Sequence, residues 1–547
     1  MLPPVAEVSD NTELLLLRQV DDRLQPSQTH ASAQFTVGDD ARAADLGVFI
    51  LSGIWLRAAI FDLSIILAVV QPIRHYWKRI NLRSVRVHSE SRWPSRQFAD
   101  NRNLRPTDRS VLMSSTYDDV KAAEADVLGP SNVVGAAGES RTVFSGLDSL
   151  ARRREAILGR LNNGPNAFDT VVERYPTPTT AIIEGREFIM MGSNNYLGLP
   201  FTEEYKEALD QAIADFGVGT TASRVASGTT SMHVGLERDL ADYLGKAHAV
   251  VFSTGFQTNL GVLAGLVQSG DVLLIDADCH ASIFVAASLS PARKIKFRHN
   301  DVDDLRRKLE TLDVDPRRAL IVTESIFSAM GDEAPLKEIV ALKREFGAFL
   351  AVDEAHSFGL YGAKGESLCH SLGIADDVDI FILTFSKSLG LIGGAAISDY
   401  PDFDVLKLAA RAFLFTAALP SSLIAAARKG IEMLREESDL RPSLWSNVEH
   451  FRRRITDLGL LINSDVSPIV TVTLPGLEIG YRVWRTLYDA GIYANALMPP
   501  ATPPNTHIIR FSLSAAHKQE QLDRVADVLS DCVEKLPEIR LFASAAE

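Results

Sequence analysis

The feature that most constrains the fold of this chain is an alternation of short apolar runs with helical patterns, beginning near Phe168. Each run has the length of a buried strand, and a stretch with apolar residues at helical spacing follows most of them. The predicted strands are 249–252, 272–276, 294–298, 319–324, 349–353 and 380–384, and the clearest predicted helices are 258–268, 302–311 and 336–346. Because crossover helices connect parallel strands, the alternation predicts an α/β fold around a mostly parallel sheet.

The residues after about 400 follow a different pattern. They predict a long helix at 421–437, more helix from Leu444, and two strands at 469–474 and 508–513. This mixture predicts a smaller α+β domain at the C-terminal end. The predicted division is an N-terminal segment of the catalytic part (141–200), a large domain (201–400) and a small C-terminal domain (401–547).

Residues 1–140 lack this alternation and are interpreted as an N-terminal extension. Segment 46–70 is strongly apolar, although Arg57 and Asp62 interrupt it, and its 25 residues suit one tilted membrane-spanning helix. The flank 74–109 carries ten Lys or Arg against three Asp or Glu, which favours the cytoplasmic side of a membrane. Three interpretations stay open: a membrane-associated segment, a weakly ordered extension, or residues upstream of the true start.

The composition is that of an ordinary globular protein, with 46% hydrophobic and 23% charged residues among 547. A net charge of −14 argues against a general nucleic-acid binder, because phosphate neutralisation needs surplus Lys and Arg. The three cysteines provide neither a disulfide framework nor metal-ligand spacing. We therefore expect no metal site and a reducing, cytoplasmic compartment, with membrane association through 46–70 as the open alternative.

Three residues near the ends of predicted strands point to a cofactor. Lys387 lies in a loop of small residues after strand 380–384, while Asp353 ends strand 349–353 and His356 follows three residues later. Pyridoxal phosphate (PLP) requires a lysine for covalent attachment, a carboxylate for its pyridinium nitrogen and a donor for its phenolic oxygen. A loop lysine alone is usually a solvated surface charge, and an isolated Asp-x-x-His is more often a helix cap. Their combination favours a PLP site.

Other residues at the same predicted sheet edge suit the remaining parts of such a site. The junction that contains Gly255 and Phe256 lies between a strand and a helix, where backbone N–H groups bind phosphate, and Thr384 and Ser386 add hydroxyl groups. The structural alternative is a simple helix cap. His280 follows another buried strand and either stacks on the pyridine ring or is a satisfied polar residue.

Arg510 is embedded in the predicted strand 508–513. An arginine there suits a bidentate grip on an amino-acid carboxylate, and a structural salt bridge is the alternative.

Four motifs occur in the order that is typical of one known family. They are Asn194-Asn195-Tyr196-Leu197-Gly198, Ser227-Gly228-Thr229, Asp353-Glu354-Ala355-His356 and Thr384-Phe385-Ser386-Lys387. From about Phe168 to Val533 the chain resembles the α-oxoamine synthases, which are PLP enzymes of fold type I. The resemblance implies a large, mostly parallel sheet domain and a smaller α+β C-terminal domain.

The resemblance also implies roles for individual residues. Lys387 would attach PLP and act as the base, Asp353 would pair with the pyridinium, His356 would contact the phenolic oxygen and His280 would stack on the ring. Arg510 and Asn195 would bind the amino acid. The further residues expected to line the cofactor are Gly255, Phe256, Ser328, Thr384 and Ser386. Thr416 would reach the phosphate of a neighbouring subunit, which implies a homodimer with shared active sites.

Within the family, four stretches are similar to the members that condense L-serine with a long-chain acyl thioester. These stretches are 298–302, 415–417, 444–447 and 499–503. The similarity implies a decarboxylative Claisen condensation with a palmitoyl-CoA-like donor, which gives a 3-ketosphinganine-type product of sphingolipid biosynthesis. The acyl carrier, CoA or an acyl carrier protein, stays open, and so does the acyl chain length.

Two departures from that pattern keep alternatives open. Met498 stands where some members have an arginine, and Asn194 stands where some have a tyrosine. One alternative is another α-oxoamine synthase, similar to the enzymes that make 8-amino-7-oxononanoate from alanine. The other is a catalytically silent subunit that anchors a partner at a membrane, against which Lys387 argues.

Overall fold

The structure is a computed structural model that describes residues 142–160, 164–166, 169–436, 439–462, 467–498, 502 and 506–546. The apolar segment 46–70, its basic flank 74–109 and the stretch 499–501 lie outside the described residues. Among the helices that are described, none combines the length and the apolar character needed to cross a membrane.

The described strands are β1 (Val172–Thr177), β2 (Thr180–Ile183), β3 (Arg186–Met190), β4 (His248–Phe252), β5 (Val272–Asp276), β6 (Arg293–Phe297), β7 (Ala319–Glu324), β8 (Phe349–Asp353), β9 (Ile380–Thr384), β10 (Gly394–Ser398), β11 (Leu461–Ile462), β12 (Ile469–Pro475), β13 (Ile492–Tyr493), β14 (Asn495–Leu497) and β15 (Thr506–Ser512).

The described α-helices are α1 (Ser145–Arg160), α2 (Glu203–Phe216), α3 (Ser231–Tyr243), α4 (Gly255–Gly265), α5 (Ala281–Leu289), α6 (Val302–Glu310), α7 (Leu336–Phe346), α8 (Leu368–Ser371), α9 (Leu406–Ala409), α10 (Arg411–Leu414), α11 (Ser421–Arg435), α12 (Leu440–Thr456), α13 (Gly476–Asp489), α14 (Gln519–Lys535) and α15 (Glu538–Ala546).

The largest sheet has seven strands in the order β4-β10-β9-β8-β7-β5-β6. Its neighbours pair in parallel from β9 to β6, whereas β10 runs antiparallel to both β9 and β4. Every residue of β5, β7 and β9 is buried, as expected for strands covered by helices on both faces. The predicted α/β class with a mostly parallel sheet is therefore confirmed.

The carboxyl ends of these parallel strands meet at one edge of the sheet. Glu324 at the end of β7 lies in register with Asp353 at the end of β8, and β5 ends in Asp276. Open α/β sheets bind ligands outside the carboxyl ends of their strands. The sheet thus gathers the loops that carry the predicted site residues.

Two smaller sheets involve residues near the ends of the described chain. The order β11-β12-β15-β14 forms an antiparallel sheet that places Arg510 in its third strand. The other sheet has the order β1-β2-β3-β13, in which β13 pairs in parallel with β3. The segment before residue 200 and the C-terminal region are thereby joined by backbone hydrogen bonds.

Candidate active site

Lys387 lies in a tight turn directly after β9. Its carbonyl accepts a hydrogen bond from the N–H of Gly390 at 2.9 Å, and Gly390 has the positive φ of 64° that such a turn requires. Desolvation lowers the pKa of Lys387 to about 8, although the carboxylates of Asp353 and Glu324 oppose the shift. A substantial fraction of the amine is therefore neutral near physiological pH and is able to act as a nucleophile or base.

Asp353 is buried at the end of β8, and each of its carboxylate oxygens accepts a hydrogen bond. The Asn259 amide donates to Oδ2 at 2.9 Å, and the backbone N–H of Ala355 donates to Oδ1 at 3.0 Å. These bonds fix the carboxylate while Lys387 adds electrostatic attraction. The arrangement suits an ionised carboxylate that faces a pyridinium.

His280 caps the N-terminus of α5 and belongs to a polar network that leads to Asp353. Its Nδ1 lies 2.7 Å from the hydroxyl of Ser282, which in turn accepts a bond from the Asn259 amide at 3.0 Å. Desolvation lowers the pKa of His280, and Lys387 lowers it further while Asp353 opposes the shift. The ring is therefore held by its Nδ1 beside Lys387 and Asp353.

His356 is buried next to Tyr196. The tyrosine hydroxyl lies 2.8 Å from Nδ1 of the histidine and donates to Oδ1 of Asn194 at 3.3 Å. Desolvation, with the charges of Lys387 and Arg510, holds the pKa of His356 well below its ordinary value. Burial likewise raises the pKa of Tyr196 to about 12. This pair is therefore a neutral hydrogen-bonding unit at neutral pH.

Arg510 is buried in β15, and its guanidinium donates hydrogen bonds to neutral oxygens. It donates from Nε to the carbonyl of Ser328 at 2.8 Å, from Nη1 to Ser512 Oγ at 2.9 Å and from Nη2 to Asn194 Oδ1 at 3.2 Å. Among the described residues, none of these three partners of Arg510 is a carboxylate. A buried cation without a carboxylate partner favours an anionic ligand over the salt-bridge alternative.

The N-terminus of α4 forms a close approach to the Lys387 loop. A Cβ built on Gly255 would lie 2.7 Å from Cβ of Thr384, whose hydroxyl is 2.9 Å from that of Ser386. Thr254 caps the helix by accepting from Gln257 N at 3.0 Å, which satisfies one backbone N–H of the first turn. A helix N-terminus beside two hydroxyl groups fits a phosphate group.

The remaining predicted residues lie around this centre. Phe256 is partly exposed at the start of α4, and Ser328 contributes its carbonyl to Arg510. Thr416 Oγ1 accepts from the Gln257 amide of its own chain at 3.2 Å. Asn195 uses its amide oxygen locally, accepting from Gly198 N at 3.1 Å. The predicted contacts of Thr416 with a second subunit and of Asn195 with substrate stay predictions.

Four further residues belong to the site but were not predicted from the sequence. They are Asn194, Tyr196, Asn259 and Glu324. Glu324 is buried and accepts from the backbone N–H of His280, and burial together with Asp353 raises its pKa to about 8. Its place at the end of a predicted strand was a usable signal. Asn194 and Tyr196 lie in the first of the four motifs, which was their signal, whereas Asn259 needed tertiary contacts to be found.

A seven-stranded sheet with one reversed strand, and a lysine, carboxylate and imidazole at its carboxyl edge, define the class of PLP-dependent enzymes of fold type I. The model of the family "Aminotransferase class I and II" matches residues 186–529, and the chain belongs to this family. Within it, the chain is an α-oxoamine synthase most like serine palmitoyltransferase, and its cofactor is PLP.

Three known proteins illustrate the similarity. Serine palmitoyltransferase of Caulobacter vibrioides is 45% identical over 372 residues, which are 68% of this chain and 92% of the relative. A serine palmitoyltransferase structure solved with PLP has a TM-score of 0.70 at 36% identity and covers 73% of this chain and 100% of its own. A putative 8-amino-7-oxononanoate synthase of Bacillus cereus is 38% identical over 339 residues, which are 62% of this chain and 86% of the relative.

Proposed function

We propose that this enzyme condenses L-serine with a long-chain acyl thioester and releases carbon dioxide, giving a 3-ketosphinganine-type product. The observation that carries the proposal is the buried guanidinium of Arg510, which bonds to neutral groups and interacts electrostatically with Lys387. A carboxylate held by Arg510 places the α-carbon of an amino acid near the lysine amine. The similarity to serine palmitoyltransferases supports serine as that amino acid.

Bound PLP supplies an electron sink for negative charge that develops at the α-carbon. Lys387 would hold the cofactor through its amine, and the same amine would take the α-proton of the amino acid as general base. Its lowered pKa of about 8 suits this task near neutral pH. Asp353 keeps a proton on the pyridine nitrogen, because its fixed carboxylate stabilises the positive charge there.

The other residues would orient the reacting groups. His356, held neutral beside Tyr196, would contact the phenolic oxygen of the cofactor, and His280 would cover one face of its ring. Arg510 holds the substrate carboxylate until it leaves as carbon dioxide. The new carbon–carbon bond forms when the α-carbon attacks the thioester carbonyl and the thiol carrier departs.

We also propose a homodimer with shared active sites, in which Thr416 contacts the phosphate bound to the partner subunit. We further propose membrane contact through the apolar segment 46–70, which lies outside the described residues. The cytoplasm is the proposed compartment. Sphingolipid biosynthesis is the proposed pathway because the product is a long-chain amino ketone.

A second candidate is condensation of alanine, as in the synthesis of 8-amino-7-oxononanoate. Two observations favour keeping it: the identity to the Bacillus cereus protein and the presence of Asn194, in place of a tyrosine, beside Arg510. A catalytically silent subunit is disfavoured, because the structure surrounds Lys387 with the groups that a PLP enzyme needs.

The test is a substrate panel on the full-length enzyme loaded with PLP. Serine, alanine and glycine are each combined with palmitoyl-CoA and with a short dicarboxylic acyl-CoA, and thiol release and product mass are measured. We expect turnover with serine and palmitoyl-CoA, and a loss of at least about 10³-fold in Lys387→Ala because the general base is absent. Turnover of alanine with the dicarboxylic thioester alone would refute the proposal, and a fully active Lys387→Ala would refute the mechanism.

A further inference from the structure

His299 follows β6 and has no role in the chemistry described above. Its Nδ1 lies 2.9 Å from Asp276 Oδ1 and its Nε2 lies 2.8 Å from Asp332 Oδ2. A neutral imidazole carries one N–H, so only the protonated ring donates to both carboxylates. Burial disfavours the charged ring, but the bonds to Asp276 and Asp332 outweigh it and raise the pKa of His299 to about 10.

The first carboxylate is that of Asp276, the last residue of β5, and the loop that follows it leads to His280. Asp276 is fully buried, and besides His299 it accepts hydrogen bonds from the N–H groups of Asp278 and Asn300, both at 2.9 Å. The carbonyl of Asp276 also accepts from Cys279 N at 3.3 Å. The protonated ring of His299 is therefore hydrogen-bonded to Asp276, the residue from which the turn toward His280 begins.

The second carboxylate belongs to the loop that supports Arg510. The carbonyl of Asp332 accepts from Phe327 N at 3.0 Å, and the ring of Phe327 meets that of His299 edge-on with centroids 4.4 Å apart. Ser328 lies between Phe327 and Asp332 in the sequence, and its carbonyl accepts a hydrogen bond from the Nε–H of Arg510 at 2.8 Å. His299 thus contacts both ends of the short loop 327–332, and Ser328 within this loop binds the guanidinium of Arg510.

We propose that His299 is a positioning residue for the amino-acid substrate. By donating to Asp276 and Asp332 at once, it holds the His280 loop and the Ser328 loop in the arrangement that directs Arg510 at the substrate carboxylate. This inference rests on the proposed function, in which Arg510 binds that carboxylate. Loss of the bridge weakens amino-acid binding more than PLP attachment, because Arg510 bonds directly to Ser328 of the bridged loop, whereas Lys387 and the two hydrogen bonds that fix Asp353 do not involve His299 or its carboxylate partners.

Two variants of the full-length, PLP-loaded enzyme test the bridge. His299→Gln donates to one carboxylate only, and Asp332→Asn keeps an acceptor for Nε2 but removes one charge. Serine is titrated against the visible absorbance of the cofactor, and kcat and KM are measured with palmitoyl-CoA. We expect normal PLP content, a serine Kd about tenfold higher in His299→Gln and about threefold higher in Asp332→Asn, and a smaller change in kcat.

His450→Gln is the matched control, because His450 forms another histidine–aspartate pair, 2.9 Å from Asp523, on α12. It should bind serine as the wild type does. A PLP-loaded His299→Gln enzyme with a serine Kd within about twofold of wild type, or with loss confined to kcat, overturns the inference. If His299→Gln does not retain PLP, Asp332→Asn is the deciding variant. A serine Kd about threefold higher supports the inference, and an unchanged Kd overturns it.

The wild-type titration separates this inference from the proposed function. A wild type that responds to alanine and not to serine refutes serine as substrate, and the same variants are then compared with alanine. A wild type that responds to no amino acid overturns both the proposed function and the role of His299.

Discussion

At the scale of single residues, the site depends on a lysine whose amine is easier to deprotonate than usual. Desolvation of Lys387 outweighs the attraction of Asp353 and Glu324, so that its pKa falls to about 8. Glu324 is shifted in the opposite direction, also to about 8, because burial and the neighbouring Asp353 disfavour its charged form. Asp353 lies beside both groups, and donors on each of its oxygens fix its orientation.

This shift predicts the pH dependence of PLP attachment to apo-enzyme. Only the neutral amine attacks the aldehyde, so the rate should rise with pH and level off above about pH 8. An ordinary lysine, with a pKa of about 10.4, would continue to gain rate up to about pH 10. Stopped-flow absorbance measures the attachment, with Lys387→Ala as the control that shows none. A rate that still rises steeply at pH 10 would contradict the predicted environment.

The same scale shows how far a motif predicts contacts. The substrate contact predicted for Asn195 stays a prediction: its amide oxygen accepts from Gly198 N, while the oxygen of the neighbouring Asn194 accepts from Arg510. A motif identifies a segment, but the backbone direction at each position decides which side chain faces the site. Arg510 and Lys387, by contrast, were predicted from residue type and strand position, and the structure brings both to the site.

At the scale of elements, most strands and helices followed from local sequence. The predicted strands 272–276, 319–324, 349–353 and 380–384 have the observed bounds, because each is a continuous apolar run. Strand 294–298 was predicted one residue late. β10 was not predicted, because Gly394, Ala395 and Ala396 lack the β-branched side chains that mark a strand.

At the scale of elements, the testable prediction concerns Gly255 at the start of α4. The structure begins this helix at Gly255, three residues before the predicted start, because Thr254 caps it and Gly255 packs against Thr384. A methyl group at Gly255 would force these elements apart, so Gly255→Ala should lower PLP affinity at least about tenfold and cost about 1–3 kcal/mol of unfolding free energy.

Equilibrium PLP titration and thermal unfolding measure these effects. Gly245→Ser is the control, since a Cβ at Gly245 meets no atom within 4 Å, although its positive φ of 63° makes a small loss of stability expected. PLP affinity that is unchanged in Gly255→Ala would show that the two elements separate without affecting the phosphate site.

At the scale of the whole molecule, the single chain exposes a group of large apolar side chains near the site. Val405, Leu408 and Phe415 are 54%, 72% and 76% exposed around α9 and α10, and Phe415 precedes Thr416. Soluble proteins rarely leave such side chains clustered in water, and a cluster of this kind marks an interaction surface. Its place beside Thr416 supports the proposed homodimer.

Phe415→Glu should therefore dissociate the dimer and reduce activity at least about tenfold, because a charge at an interface core costs several kcal/mol to desolvate. Size-exclusion chromatography with light scattering gives the mass, and the serine panel gives the activity. Phe349→Glu is the control, since Phe349 lies at the amino end of β8, opposite the site edge. A dimeric, fully active Phe415→Glu enzyme would place the interface elsewhere.

The sequence alone determined the class of fold, the PLP cofactor and the strand ends that carry Lys387, Asp353 and His280, because apolar runs and turn residues act over a few neighbours. Only the tertiary structure decided which polar groups support them. Asn194 and Arg510 are 316 positions apart, and Asn259 and Asp353 are 94 apart. Such contacts depend on strand order and register, which bring distant residues to one sheet edge, and no local pattern encodes them.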